Sequence, residues 1–283
     1  MFEVTVDMAD GVPRIIANCQ LPVADFPVSQ LFEVSCDKSA TGNWNLAMLY
    51  VGTSGYGYKE WKGSFYPANI SSKDMLSYYA ERLQAVELNN TFYRSPQPSI
   101  VESWKAQVPE NFRFTMKAPQ SITHFRRLKD AAAVTQSMLK TVSALEDRFG
   151  AVLFRFPDDM EKDLKRLETF LKDLPADTRA AFDFRHSTWF DEDVLALLSS
   201  QNRVFCVCDR DEMPANHIHK TADWGYVRLR RVNYSKADLV EWIKRVRAQD
   251  WKDTYVFFKH DDEGTGPKLA AQFSHGLTQI TQI

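Results

Sequence analysis

No stretch of this 283-residue chain comes near the roughly 18 consecutive apolar residues that a membrane-spanning helix needs. The opening MFEVTVDMAD is acidic where a secretory signal would be basic, so the expected location is the cytoplasm. Cysteine is scarce: Cys19, Cys36, Cys206 and Cys208 form no C-x-x-C pair, which excludes a disulfide framework and gives no zinc site. Cys206 and Cys208 alternate along one predicted strand and are expected to bury against helices. There is no HExxH and no dense cluster of His, Asp and Glu, so no metal ligands are assigned. A divalent metal remains compatible with the chain without any strong motif for it, and the cofactor stays open. Charge of one sign is lacking as well. The formal net charge of −2 is far from the strongly basic footprint of a general nucleic-acid binder, so any polyanion contact would have to be local.

That small net charge hides a division. Residues 1 to 47 carry six acids and two bases, a balance of −4, which leaves +2 for residues 48 to 283. The leader holds Pro13, Pro22 and Pro27 and only weak alternation at Phe2, Val4 and Val6. It is expected to be an extension with little order, or the product of an upstream start, with Met48 the true initiator; the competing expectation is a strand or flap that closes the floor of the fold.

From Met48 onward, β-rich runs alternate with helical spacing. The strands are expected at Leu49 to Ser54, Ala85 to Phe92, Phe112 to Ala118, Gly150 to Pro157, Arg179 to Arg185, Arg203 to Asp209, Gly225 to Arg230 and Thr254 to His260. Between them lie helical patterns such as Leu164, Leu167, Leu171 and Leu174, or Leu239, Trp242, Ile243 and Val246. Ser71 and Ser72, Asp191, the Ser235 and Asp238 pair and Pro267 supply helix starts. Arg210 to Ala222 is short and unpatterned, so the sixth crossover should be a loop or a stub of helix. Eight strands with interleaved helices over 236 residues predict an α/β fold, a (β/α)8 barrel of the TIM type forming one domain from 48 to 283.

The first predicted strand runs into VGTSGYGYKEWKGSFYP at Val51 to Pro67. Further segments are VELNNTFYRSP (Val86 to Pro96), FRFTMKAPQSITHFRRL (Phe112 to Leu128), FRFP (Phe154 to Pro157), FDFRHSTWF (Phe182 to Phe190), DWGYVRLRRVNYS (Asp223 to Ser235) and FFKHDDEGTGP (Phe257 to Pro267). Seven such pieces in order resemble the family known as domain of unknown function 72 (DUF72), over about Tyr50 to Phe273. The resemblance implies a β/α barrel; it implies no agreed activity.

In such a barrel every second strand residue points inward, and the last inward residue opens onto the C-terminal face, where barrel enzymes keep their sites. That parity collects Glu87, Asn89, Thr91, Thr115, Lys117, Arg155, Asp183, Arg185, Asp209, Arg228, Arg230, Lys259 and Asp261. Bases exceed acids in the set, so the cleft should be locally positive and take an anion, unless the charges only satisfy one another. Glu87 with Asp183 is the candidate acid and base pair, and His186 and His260, each just after a strand, are candidate proton carriers. His124 could hang over the same rim. Ligand contacts are expected from Tyr56, Asn89, Lys117, Arg155, Arg185, Asp209, Arg228, Arg230 and Lys259. Tyr56, Tyr58, Trp61, Phe92, Tyr93 and Trp189 would either stack a base or sugar or pack between loops and outer helices. His217 and His219 are expected in a solvated loop.

The reading that follows is a hydrolase or phosphodiesterase acting on a phosphorylated or nucleotide-like substrate. The alternatives are a non-catalytic binder of nucleic acid or of a small anionic ligand, and a structural scaffold.

Overall fold

A computed structural model of the chain describes residues 3–9, 12–18, 48–215, 217–259 and 264–280. The leader contributes strands β1 (Glu3–Ala9) and β2 (Val12–Asn18), which pair antiparallel with each other in a separate two-stranded sheet.

All other strands run parallel in one sheet. They are β3 (Met48–Ser54), β4 (Ala85–Leu88), β5 (Arg113–Lys117), β6 (Phe149–Arg155), β7 (Ala180–Asp183), β8 (Val204–Phe205), β9 (Val207–Asp209), β10 (Gly225–Leu229) and β11 (Asp253–Phe258). In space the order is β8-β7-β6-β5-β4-β3-β11-β10-β9. The two ends of that list are neighbours in the chain. β8 and β9 flank Cys206 and are two halves of the sixth strand, the first paired with β7 and the second with β10, so one broken strand closes the ring. All eight expected strands are present, most of them a residue or two shorter.

The outer layer comprises α1 (Met75–Ala80), α2 (Pro98–Ala106), α3 (Ala132–Val142), α4 (Leu164–Lys172), α5 (Glu192–Ser199), α6 (Lys236–Arg247) and α7 (Thr265–Ile280). Their starts follow local chemistry. Ser235 and Asp238 close a capping box on α6, each side chain accepting from the other's backbone N–H at 3.1 and 2.8 Å, and Asp191 accepts from Asp193 N at 3.0 Å to start α5. α1 begins one turn after the predicted serines, at Asp74, whose carboxylate takes the Ser71 hydroxyl at 2.7 Å. Between β9 and β10 no helix forms among the described residues, as the unpatterned sixth crossover predicts.

Outward strand residues such as Val86, Val227 and Val256 pack with Leu76, Trp104 and Trp242 of the helices, while Phe154, Phe156 and Phe182 meet Leu167, Phe170 and Leu171 of α4. Each such fully buried side chain is worth about 1.5–3 kcal/mol against exposure. The barrel's own interior is a third cluster: Tyr50, Ala151, Leu153, Tyr226, Tyr255 and Phe257, with Cys206 among them. Cys206 therefore faces the barrel axis, a correction to its expected burial against helices, and Cys208 follows it by parity, aligned with Arg228 of β10. The floor being closed by apolar side chains, any polar chemistry is confined to the layer above it, at the strands' C-terminal ends.

Candidate functional site

The layer above Tyr226 and Phe257 is where parity turns from apolar to charged. Arg228, two residues after Tyr226, lies across the barrel with its guanidinium buried. It grips Glu87 with two parallel bonds, Nε to Oε2 at 2.9 Å and Nη2 to Oε1 at 2.8 Å, and donates a third, from Nη1 to Asp183 Oδ2, at 2.7 Å. The fork of an arginine suits this, because its donors are fixed in the plane that two carboxylate oxygens present. Arg185 donates to the same Asp183 oxygen at 2.9 Å. Glu87 takes two more bonds, from Ser54 Oγ at 2.8 Å and Tyr226 OH at 2.9 Å, so each of its oxygens accepts twice. Thr115 pairs with the Tyr226 hydroxyl at 2.9 Å, and Arg230 reaches Ser54 Oγ at 3.3 Å.

These contacts settle the protonation of both acids. Burial pushes Asp183 up, but the guanidinium groups of Arg185, Arg228 and Arg155 outweigh it and hold the carboxyl at about 2; Glu87 is likewise held below its usual range against the same burial cost, chiefly by Arg228. A general acid and base pair needs environments that separate the two groups, and here both are driven the same way. Glu87 and Asp183 are counterions of the arginine cluster. Because their native values lie below the unfolded ones of about 4, the stability they add is complete above that pH and is lost as pH falls from about 4 toward 2. Urea unfolding followed across pH should therefore lose stability most steeply in that window, and less steeply in a Glu87→Gln/Asp183→Asn variant; equal slopes would refute the assignment.

Three more bases surround this core without a close carboxylate. Arg155 ends β6 and reaches Asp158 only at 3.9 Å. Arg230 has the Ser54 contact already given. Lys117, last residue of β5, holds its Nζ 3.7 Å above the ring of Phe92 and forms no ion pair or hydrogen bond among the described residues. Burial, with Arg228 and Arg155 nearby, brings its ammonium down to about 8. The strand end beneath it is fixed by the Thr91 hydroxyl, which donates to the Lys117 carbonyl at 2.8 Å. His124 stands against the other side of this corner, its ring 4.9 Å from Phe92 and its Nδ1 2.9 Å from Thr123 Oγ1. Burial and the charges of Arg155 and Lys117 depress its pKa, so the imidazole is neutral at pH 7. Asp183 Oδ1 and Arg185 Nε, buried and without partners among the described residues, add one open acceptor and one open donor.

Other sequence candidates lie elsewhere. Asp209 faces away from the cluster, accepting from Arg231 Nε at 2.7 Å, Tyr234 OH at 2.9 Å and Ala215 N at 3.0 Å, because the inward residues of its strand are Cys206 and Cys208. Lys259 lines a separate cavity of about 80 Å³ with Arg231, Val232 and Thr265. His186 caps the short turn Ser187–Trp189 and bonds Thr188 Oγ1 at 3.0 Å. Asn89 ends β4 in a helical backbone conformation, half-buried, at the start of the turn Asn90–Phe92. His260 and Asp261 lie outside the described residues. Of the aromatic rim, Tyr56 packs toward Tyr79 of α1, Trp61 stacks on Tyr66 within the same loop, and Trp189 stacks on Phe184 at 4.4 Å while donating to Met160 O; these rings pack against other parts of the protein. Phe92, from the same rim, packs on the charged layer beneath Lys117 Nζ. His217, exposed, and His219, half-buried, lie in a loop as expected and border an apolar cavity of about 180 Å³ with Phe184, Phe205 and Met213. Among the described residues no three metal-ligating side chains gather in a group, and no helix is long and apolar enough to cross a membrane.

Sequence reasoning left Ser54 and Tyr226 out of the site. The signal was available: Tyr50, Gly52 and Ser54 share a parity, as do Tyr226, Arg228 and Arg230, and a buried arginine across a barrel needs its carboxylate's remaining lone pairs filled.

A solved DUF72 protein from Thermotoga maritima superposes with a TM-score of 0.72 at 28% identity, covering 82% of this chain and 99% of that one. A second, from Enterococcus faecalis, gives 0.66 at 19% identity over 82% and 96%. Among curated proteins, UPF0759 protein YunF of Bacillus subtilis is 22% identical over 76% of this chain and 80% of its own, and UPF0759 protein YecE of Escherichia coli K12 is 29% identical over half of each. The family model described as protein of unknown function DUF72 matches residues 50–282, the whole barrel from its first strand, and the chain belongs to that family.

Proposed function

We propose that this barrel is an enzyme that takes a small phosphorylated or nucleotide-like substrate at its C-terminal mouth. The observation that carries the reading is the charge imbalance of the buried layer. Glu87 and Asp183 are consumed by Arg228 and Arg185, while Arg155, Arg230 and Lys117 approach the same pair with no carboxylate of their own at short range. Cations held that way are stabilised by an anion delivered from solvent, and planar guanidinium groups recognise phosphate oxygens in particular. Arg155 and Arg230 would clamp the phosphate, Asp183 Oδ1 would accept from a substrate hydroxyl, and Lys117, brought down to about 8, and the His124 imidazole, lowered by burial and neighbouring cations, would move protons. Hydrolysis of a phosphate ester would draw its base from these two, since the arginines lower both carboxyls and leave them poor bases.

The same engagement of both carboxylates favours, as a second reading, a receptor that binds a small anion without turnover. Thermal shift of the full chain against inorganic phosphate, sugar phosphates, nucleotides and short oligonucleotides, followed by turnover assays on whichever binds, separates the readings. A phosphorylated compound at a hundred times its Kd should add about 2.7 kcal/mol to stability, and Arg155→Ala should weaken binding about tenfold to a hundredfold, the worth of one or two charge-assisted bonds. If no anion raises the melting temperature, both fall and a scaffold remains. Oligonucleotides that bind with steep salt dependence, where small phosphates do not, would point to nucleic acid.

A further inference from the structure

We propose that Lys117 is a nucleophilic amine that forms an imine with the carbonyl carbon of a phosphorylated aldehyde or ketone held at the barrel mouth. This rests on the anion clamp proposed above and narrows its substrate class, replacing simple hydrolysis by chemistry at carbon.

The geometry comes first. An amine that attacks a carbonyl must be uncharged, reachable and not tied to a carboxylate. Lys117 ends a central barrel strand, is half-buried, and rests on the face of Phe92 instead of an ion-pair partner. Every charged element around it can be named. Arg228 of β10 and Arg155 of β6 oppose its charge; Glu87 of β4 and Asp183 of β7 favour it, but both are already neutralised by Arg228 and Arg185; His124 on the following turn is neutral. Burial is the largest influence and acts in the same direction as the arginines, giving the value of about 8. About one Lys117 in ten is then the free amine at pH 7, against about one in three thousand for an ordinary lysine. Desolvation and neighbouring cations are the means by which proteins activate lysine toward carbonyl compounds.

The reaction balances without a redox partner. The Nζ lone pair forms the C–N bond while the carbonyl π electrons move to oxygen, which takes a proton as nitrogen loses one. The C–O bond of the resulting carbinolamine then breaks, the oxygen leaves as water after a second protonation, and nitrogen donates its electrons to form the C=N bond. His124, whose ring meets the same Phe92 edge-on, would carry those protons between nitrogen and oxygen. Arg155 and Arg230 would keep the phosphate a few atoms from the reacting carbon.

The test uses pyridoxal 5′-phosphate as a probe that carries both an aldehyde and a phosphate, with pyridoxal as the probe lacking phosphate. The full chain is incubated with each, reduced with borohydride, digested and mapped by mass spectrometry. Lys117 should be labelled about tenfold or more faster than any other lysine, after allowing for the lower intrinsic nucleophilicity of a less basic amine. Labelling should rise with pH through about 8, excess inorganic phosphate should suppress it, pyridoxal should label Lys117 far less, and Lys117→Arg should remove the label without lowering the melting temperature. In Arg155→Ala the pH profile at Lys117, read with pyridoxal, should move upward because a like charge is gone. Labelling spread evenly over the lysines overturns the proposal. If phosphate still protects against heat through Arg155 while Lys117 stays unlabelled, the imine falls and the anion clamp stands; if neither probe nor phosphate binds, both fall. Equal labelling of Lys117 by the two probes overturns the phosphorylated substrate class.

Discussion

Arg228→Met should cost about 3–5 kcal/mol of unfolding free energy, the penalty for leaving a buried charge unpaired. For a domain of this size that is a fall of roughly 6–20 °C in melting temperature. The side chains are similar in length, so the cost is electrostatic and not a cavity. Three donors vanish together: two leave Glu87 and one leaves Asp183, and both carboxylates lie in the barrel with no exposure to water. Asp183 keeps a charged partner in Arg185, whereas Glu87 keeps only the neutral donors Ser54 and Tyr226, so Glu87 bears the larger part of the loss. The sharper expectation concerns the repair. Replacing Glu87 as well, in Glu87→Gln/Arg228→Met, removes the carboxylate left without a cation while Arg185 keeps Asp183 paired, and should recover more than half of the stability, because a buried ion pair is often worth little against its neutral isostere. Denaturant titration of the three proteins measures this directly. A stable Arg228→Met protein would mean that the acids are not ionised, and the charge imbalance on which the proposed function stands would disappear with them.

Much of this layer is legible from strand parity, because period-two alternation is a geometric property of any strand. Glu87, Lys117, Arg155, Asp183, Arg185, Arg228 and Arg230 all point into the upper barrel for that reason. Parity says nothing about partners, however, and partners decide the chemistry: that one arginine spans two acids depends on the barrel's diameter, which no local pattern carries. Asp209 shows what alternation leaves open, namely which of the two faces is inward. The sixth strand alternates through Val204, Cys206 and Cys208, and these face the barrel axis in place of Asp209. Ala85 to Phe92 reads as one strand because its alternation continues, but Asn89 adopts helical angles (φ −89°, ψ −29°) and the chain turns into Asn90–Phe92. That turn brings Phe92 under Lys117. The aromatic residues after β3 are ambiguous by composition, since a ring that packs on a ligand and one that packs on a neighbouring helix have the same sequence signature; here Trp61 stacks on Tyr66 and Phe65 meets both edge-on.

Gly52→Ala should be the most damaging single methyl in the molecule. A Cβ there would lie 1.7 Å from the carbonyl oxygen of Ala85 and 2.6 Å from its carbonyl carbon, both backbone atoms of the adjacent strand β4. Gly52 is aligned with Ala85 in the β3–β4 ladder, and the contact cannot be relieved by rotating a side chain. The junction is reinforced by Tyr79 of α1, whose hydroxyl donates to Ala85 O at 2.9 Å, accepts from Thr53 N at 2.8 Å and lies 2.9 Å from Thr53 Oγ1. Parting the strands would leave these buried groups unsatisfied, so the expected loss is at least about 4 kcal/mol, in the range that marks a steric failure of the core. Tyr79→Phe, which keeps the packing and removes only the hydroxyl, should cost about 2–3 kcal/mol for the orphaned N–H and carbonyl. Gly57→Ala is the control. No atom lies within 4 Å of its Cβ position, and its stability should stay within about 0.5 kcal/mol. A consequence for function follows from the two residues separating Gly52 from Ser54. Displacing β3 moves the hydroxyl that bonds both Glu87 and Arg230, so a Gly52→Ala protein rescued by low temperature should also lose phosphate binding, while Tyr79→Phe should keep most of it. If Gly52→Ala folds normally and binds normally, β3 and β4 are not in the register described, and the charged layer they hold would have to be built differently.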